Sequence, residues 1–173
     1  MTNGVETYFE IKDGIEFIRI DVLKQNFPDG DLDWDRNSLN CDVSVKCGAF
    51  SGKFNANLMS WDFDIFKTEL EYLYDNLNRR AIFEGIESQV RILVQGDGIG
   101  HLNTTCEIMD YAGTGNELIC KLNFDQTELP QIIRQLEKIT SEHKVYGQIN
   151  EKSTGANNGY NSLWQKVKSK FNL

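Results

Sequence analysis

No run of apolar residues in this 173-residue sequence approaches the roughly 18 that a membrane-crossing helix needs. The opening residues, MTNGVETYFEIKDG, lack the basic start and apolar stretch of a secretory signal, and Thr in second place excludes myristoylation, which requires Gly directly after Met. The reading is a soluble, cytoplasmic chain. Proline is scarce, at two residues, and no low-complexity segment dominates, which excludes collagenous, repeat-biased and disordered classes. Histidine is equally scarce. A nucleophilic triad would have to use His101 or His143, and neither has a supporting motif: His101 follows a turn, and His143 ends a helical stretch where the negative dipole end favours a solvated imidazole anyway.

Positive charge is also in deficit, with 18 Lys and Arg against 26 Asp and Glu, a net charge of −8. Nucleic acid is therefore disfavoured as a partner, since its affinity comes from neutralising phosphates. The deficit is uneven. Residues 1–40 carry four basic and nine acidic side chains, residues 41–146 ten and sixteen, and residues 147–173 four and one. A basic appendage follows an acidic body. Its Lys152, Lys166, Lys168 and Lys170 attract phosphate or an anionic membrane on charge grounds, but such a set is more commonly a solubilising face.

The four cysteines, Cys41, Cys47, Cys106 and Cys120, have none of the close C-x(2 to 4)-C spacings that fold a zinc site from local sequence. Each alternates with apolar neighbours, so buried free thiols are the better reading. No metal and no cofactor are expected.

With 40% hydrophobic and 25% charged residues, the chain has enough apolar material for its own core. Residues 7–11 and 15–22 flank Asp13-Gly14, a hairpin signal. Residues 23–40 hold Pro28, Gly30 and four Asp without a usable period, and read as a loop. Residues 41–47 alternate as a strand, and Phe50, Phe54, Ala56 and Leu58 share a face of the next, where Gly52 suggests a bulge. From Asp62 the period becomes helical: Phe63, Phe66, Leu70, Leu73, Tyr74 and Leu77 predict an amphipathic helix over 62–80, capped by Ser60 or Asp62, with Asp62 and Asp64 suiting the positive dipole end and Arg79 and Arg80 the negative. Strands are expected at 81–86, 89–95, 99–109 and 116–124. Asp125 and Glu128 then read as a capping box for a second helix near 126–143, whose apolar stripe is Leu129, Ile132, Ile133, Leu136 and Ile139 and whose first turn holds Pro130. Residues 147–173 read as a connector, STGANNGYN, followed by a short helix bearing Leu163, Trp164, Val167 and Phe171. The expectation is an α+β fold: one domain over 1–146 with a single antiparallel sheet of about six to eight strands and a long helix inserted mid-chain, then the basic tail.

Chemistry-bearing constellations are few. Asp29, Asp31 and Asp33 occupy the first, third and fifth places of a calcium loop, but the sixth is Trp34 where Gly is needed and the twelfth is Asn40 where Glu is needed. GDGIGHL is glycine-rich, yet a strand follows it where a phosphate cradle needs a helix. The Glu84 and Glu87 pair is expected by chance among 26 acids. No acid, base and nucleophile set can be named, so the chain reads as noncatalytic.

The stretch DWDRNSLNCDVSVKCGAFSGKF, the helix FDIFKTELEYLYDNL, FEGIESQVRILV with its downstream Gly100, and LNFDQTELPQIIRQLEKI together resemble the WapI-type bacterial immunity proteins over residues 34–139. The family's usual Trp-Leu pair before the first core strand is here Ser38-Leu39. The resemblance implies a cytoplasmic protein that binds and neutralises a cognate toxin protein without catalysis. On that reading Asp29, Asp31, Asp33 and Asp35 steer a basic partner and Trp34 is the anchor. The competing reading makes Trp34 a core residue and the aspartates a solvated loop. A small-ligand protein with a pocket between sheet and helix is the alternative function, and a homodimer is left open.

Overall fold

The computed structural model describes residues 7–147, so the expected connector and basic helix of the tail lie outside the described residues. Eight strands and three helices follow one another there in the order β1 (Thr7–Asp13), β2 (Glu16–Gln25), α1 (Asp33–Arg36), β3 (Ser38–Cys47), β4 (Phe50–Met59), α2 (Ser60–Asp75), β5 (Arg80–Glu84), β6 (Val90–Gly96), β7 (His101–Met109), β8 (Glu117–Asp125) and α3 (Leu129–Glu142), the last entered through a 3-10 turn, Gln126–Glu128. The class is α+β, as expected, but the single sheet is not. The strands form two antiparallel four-stranded meanders, β1-β2-β3-β4 and β5-β6-β7-β8. The break falls at α2: β4 and β5, the strands on either side of it in the chain, share no ladder. β8 comes to lie near β1 without a shared ladder, and Asn123 N–H donates to Asp13 Oδ2 at 3.0 Å.

Alternation is strict on the buried faces: Phe9 and Ile11 in β1, Ile18, Ile20 and Val22 in β2, Leu39, Cys41, Val43 and Val45 in β3, and Val90, Ile92 and Val94 in β6 are all buried. α2 packs on β5 and α3, and α3 on β1. Where these meet, Phe9, Phe63, Phe66 and Phe83 form a cluster of fully buried rings with centroids 5.3 to 6.1 Å apart. Edge-to-face and tilted contacts of this kind favour the ring quadrupoles and unite both sheets and α2 in one core.

Several local expectations shift. β2 runs on to Gln25 and β3 begins at Ser38, so the expected loop over 23–40 shrinks to 26–37 and contains the turn of helix α1. The bulge sits in β2 between Val22 and Lys24, while Gly52 pairs in register with Val45. Phe50 is exposed, although Ala56 and Leu58 are buried. α2 starts earlier and ends earlier than the expected 62–80. Met59 occupies its N-cap, and Asp62 reaches back to accept the Met59 N–H at 2.9 Å. At the other end the chain leaves the helix through a turn, with Arg79 N–H donating to Asn76 O at 3.0 Å, and is then tied to the second meander, where Gly98 N–H donates to Leu77 O and Gly96 N–H to Arg79 O, both at 2.9 Å. Arg79 and Arg80 therefore do not serve the dipole of α2. The D-x-x-E capping box does not form either, because Asp125 makes no cap bond and lies instead 2.9 Å from His101 Nδ1. His143 caps α3 through its backbone, and burial lowers its imidazole pKa, contrary to the solvated role expected.

The four cysteines are free thiols. Cys41, Cys106 and Cys120 are buried, Cys47 is half-buried, and Cys106 faces Cys120 directly across β7 and β8. Burial pushes all three buried thiols upward in pKa, and for Cys120 a hydrogen bond with Cys47 adds to it.

Candidate partner-binding surface

The loop between β2 and β3 is pinned at both ends. Asn26 N–H donates to Ser38 O at 2.9 Å, and Asn26 Nδ2 reaches Ser38 Oγ and Asn57 Oδ1. At the other end stands Asn37, fully buried. Its Nδ2 donates to Tyr146 O at 2.9 Å and to Asp33 O at 2.6 Å, and its Oδ1 accepts the Tyr146 N–H at 2.9 Å and the Ser60 hydroxyl at 2.5 Å. Ser60 N–H donates to Asn37 O as well. One amide thus joins α1, the start of α2 and the segment after α3. A buried polar group needs this many partners to be tolerated at all.

Between the pins the loop turns outward. Phe27 (57%), Leu32 (64%) and Trp34 (41%) are exposed, large and close together in sequence. Trp34 is neither core nor free: its ring lies 5.3 Å from that of Trp61, which is only 6% exposed. Trp61 is held in turn. It packs with Met59, Ile65 and Val145 in a small cluster of its own, and hydrogen-bonds Asp62. Burial raises the Asp62 carboxyl to about 8, outweighing the Met59 and Trp61 hydrogen bonds that favour its charged form. The negative charge expected to serve the dipole of α2 is therefore largely absent at neutral pH.

Four carboxylates are interspersed along the same aromatic ridge of the loop. Asp29, Asp31 and Asp33 are exposed and Asp35 is half-buried. Asp33 lies 3.7 Å from Arg36, whose guanidinium stacks over the Tyr146 ring at 4.3 Å. The five residues singled out in the sequence lie on this one loop, and Phe27, Leu32, Asn37, Trp61 and Tyr146 belong to the same surface or its supports. Only Trp61 carried a local signal, since it falls off the Phe63, Phe66, Leu70 stripe of α2.

Where α2 meets the sheets the interior is filled by Phe9, Phe63, Phe66 and Phe83. A cleft of about 230 Å³ lies between one strand and one helix, β1 and α3, and is lined by the mostly polar set Tyr8, Gln131, Arg134, Gln135 and Lys138. Among the described residues no cluster of His, Cys, Asp or Glu could hold a metal ion, and no helix is long and apolar enough to cross a membrane.

No curated protein matches the chain. A model of the Immunity protein WapI-like family matches residues 9–143, well over half of the sequence, including both meanders, both long helices and the whole of the acidic aromatic loop. By that match the chain belongs to the Immunity protein WapI-like family.

Proposed function

We propose that this protein is a noncatalytic, cytoplasmic immunity protein that neutralises a cognate bacterial toxin domain by direct binding, and that residues 27–36 form the contact. The observation that carries the reading is Trp34, exposed yet fixed against Trp61 on a loop that also carries Asp29, Asp31, Asp33 and Asp35. An aromatic anchor already held in place loses little entropy on binding, and flanking carboxylates supply long-range attraction to a basic partner. Family membership supports a toxin as that partner. The acidic body disfavours nucleic acid.

The experiment measures association and dissociation rates with the toxin domain encoded beside the gene. Trp34→Ala is expected to raise the dissociation rate by roughly 30-fold, the about 2 kcal/mol of a central anchor. Replacing Asp29, Asp31 and Asp33 together by Asn should slow association by roughly tenfold and flatten its salt dependence. Unchanged rates in both folded variants remove this loop from the interface. Absence of any complex with the wild-type chain removes the toxin reading.

A further inference from the structure

Family membership leaves the basic tail without a role, and the structure brings the chain to a telling place before that tail begins. After α3 the backbone at Tyr146 is tied to Asn37 by both its N–H and its carbonyl, and Arg36 covers the Tyr146 ring. Gly147 follows with φ +73° and lies so close to the Asp33 carboxylate that a Cβ there would collide with it. The described chain therefore stops on the rim of the acidic aromatic ridge.

We propose that the segment beyond residue 147 of this same chain docks on that ridge, with Trp164, Val167 and Phe171 against Phe27, Leu32 and Trp34 and with Lys166, Lys168 and Lys170 against the aspartates.

Three features of the two partners match. Charge is complementary: residues 147–173 hold four Lys and one Glu, whereas residues 27–36 hold four Asp and one Arg, and that Arg is engaged by Tyr146 and Asp33. Apolar content is complementary too, since Trp164, Val167 and Phe171 recur at helical spacing with lysines between them, and the ridge exposes three large apolar side chains with no partner for their outer faces among the described residues. Reach is ample. Fifteen residues separate Gly147 from Leu163, and a short tether anchored beside its target gives an effective concentration on the order of millimolar, enough for a weak contact to persist. A basic partner would have to displace the segment, which would slow its association; this consequence rests on the proposed toxin-binding role, whereas the docking itself does not.

Zero-length carbodiimide cross-linking of the full chain, alone and at low concentration, tests the docking because it joins only amines and carboxylates already in contact. Links from Lys166, Lys168 or Lys170 to Asp29, Asp31, Asp33 or Asp35 are expected within the monomer, and they should vanish at high salt. Amide exchange over 163–171 should be about tenfold faster when Asp29, Asp31 and Asp33 are replaced by Asn, as the contact opens. Links from these lysines only to other carboxylates, links only between chains with a yield rising with concentration, or exchange unchanged by the substitutions would each overturn the proposal. The toxin reading fails separately: links without toxin binding leave the docking standing, and toxin binding at this loop without links removes the docking alone.

Discussion

Asn37 is unremarkable in the sequence, one of four consecutive polar or charged residues, because its partners Ser60 and Tyr146 are 23 and 109 positions away. No periodicity or spacing announces such a residue; only the folded chain shows that its amide closes four hydrogen bonds. Trp34 and the aspartates were legible because composition alone marks a tryptophan among four acids, but whether that ring was core or surface depended on Trp61, whose position follows from α2 starting at Ser60. Asn37→Ala should destabilise the protein by about 2 to 4 kcal/mol, since it strands the buried Ser60 hydroxyl and removes the partner of the partly buried Tyr146 N–H and carbonyl. Urea denaturation gives that value, and a shifted tryptophan emission maximum should accompany it as the Trp34 and Trp61 pair loosens. A midpoint within error of wild type would mean that water replaces the amide without loss.

At the scale of elements, strand existence was readable almost throughout, because alternation over β3, β6, β7 and β8 is a direct consequence of one buried face. Sheet membership was not readable, because alternation says which face a strand buries and nothing about which strand lies beside it. The end of α2 is hidden from the sequence for a related reason. Leu77 falls in phase with the helical stripe, but its carbonyl is claimed by Gly98 N–H and its backbone by the close approach of Gly96, where any Cβ would strike the Leu77 carbonyl. Gly96→Ala should therefore destabilise by about 1 to 3 kcal/mol through forced backbone movement. Leu73, fully buried one turn earlier and in contact with the same glycine, tests the helix itself. Leu73→Asp places an uncompensated carboxylate in the core, costs several kcal/mol and should leave the chain unfolded at ambient temperature by circular dichroism. Retention of the wild-type melting temperature would show that α2 does not pack as described.

For the whole molecule, two carboxyls inside the fold set the direction in which stability changes with pH. Burial raises Asp62 to about 8, with Glu84 adding to the effect, and raises Glu69 to about 7 against the opposing Ile82 N–H and Arg80. In the unfolded chain both return to the ordinary values of 3.8 and 4.5. Between those limits the native state holds protons that the unfolded state has released, so the slope of unfolding free energy with pH is negative and this part of the stability is lost as pH rises. Three other sets of groups contribute: Asp42, Asp97 and Asp110 are held below the usual carboxylate range by hydrogen bonds and give stability that rises through the acid region, His101, raised by its hydrogen bond to Asp125 and the nearby Asp97 charge, adds to the decline near neutrality, and His143, lowered by burial, opposes it. The expected profile climbs to roughly pH 4 and falls between about 5 and 8, with the urea midpoint as its measure. Asp62→Asn and Glu69→Gln each keep an oxygen to accept the Met59 or Ile82 N–H while removing the titration, so together they should flatten that decline. If the double variant keeps the full wild-type slope from pH 5 to 8, these carboxyls are ionised in the native protein and the buried start of α2 is wetter than its packing implies.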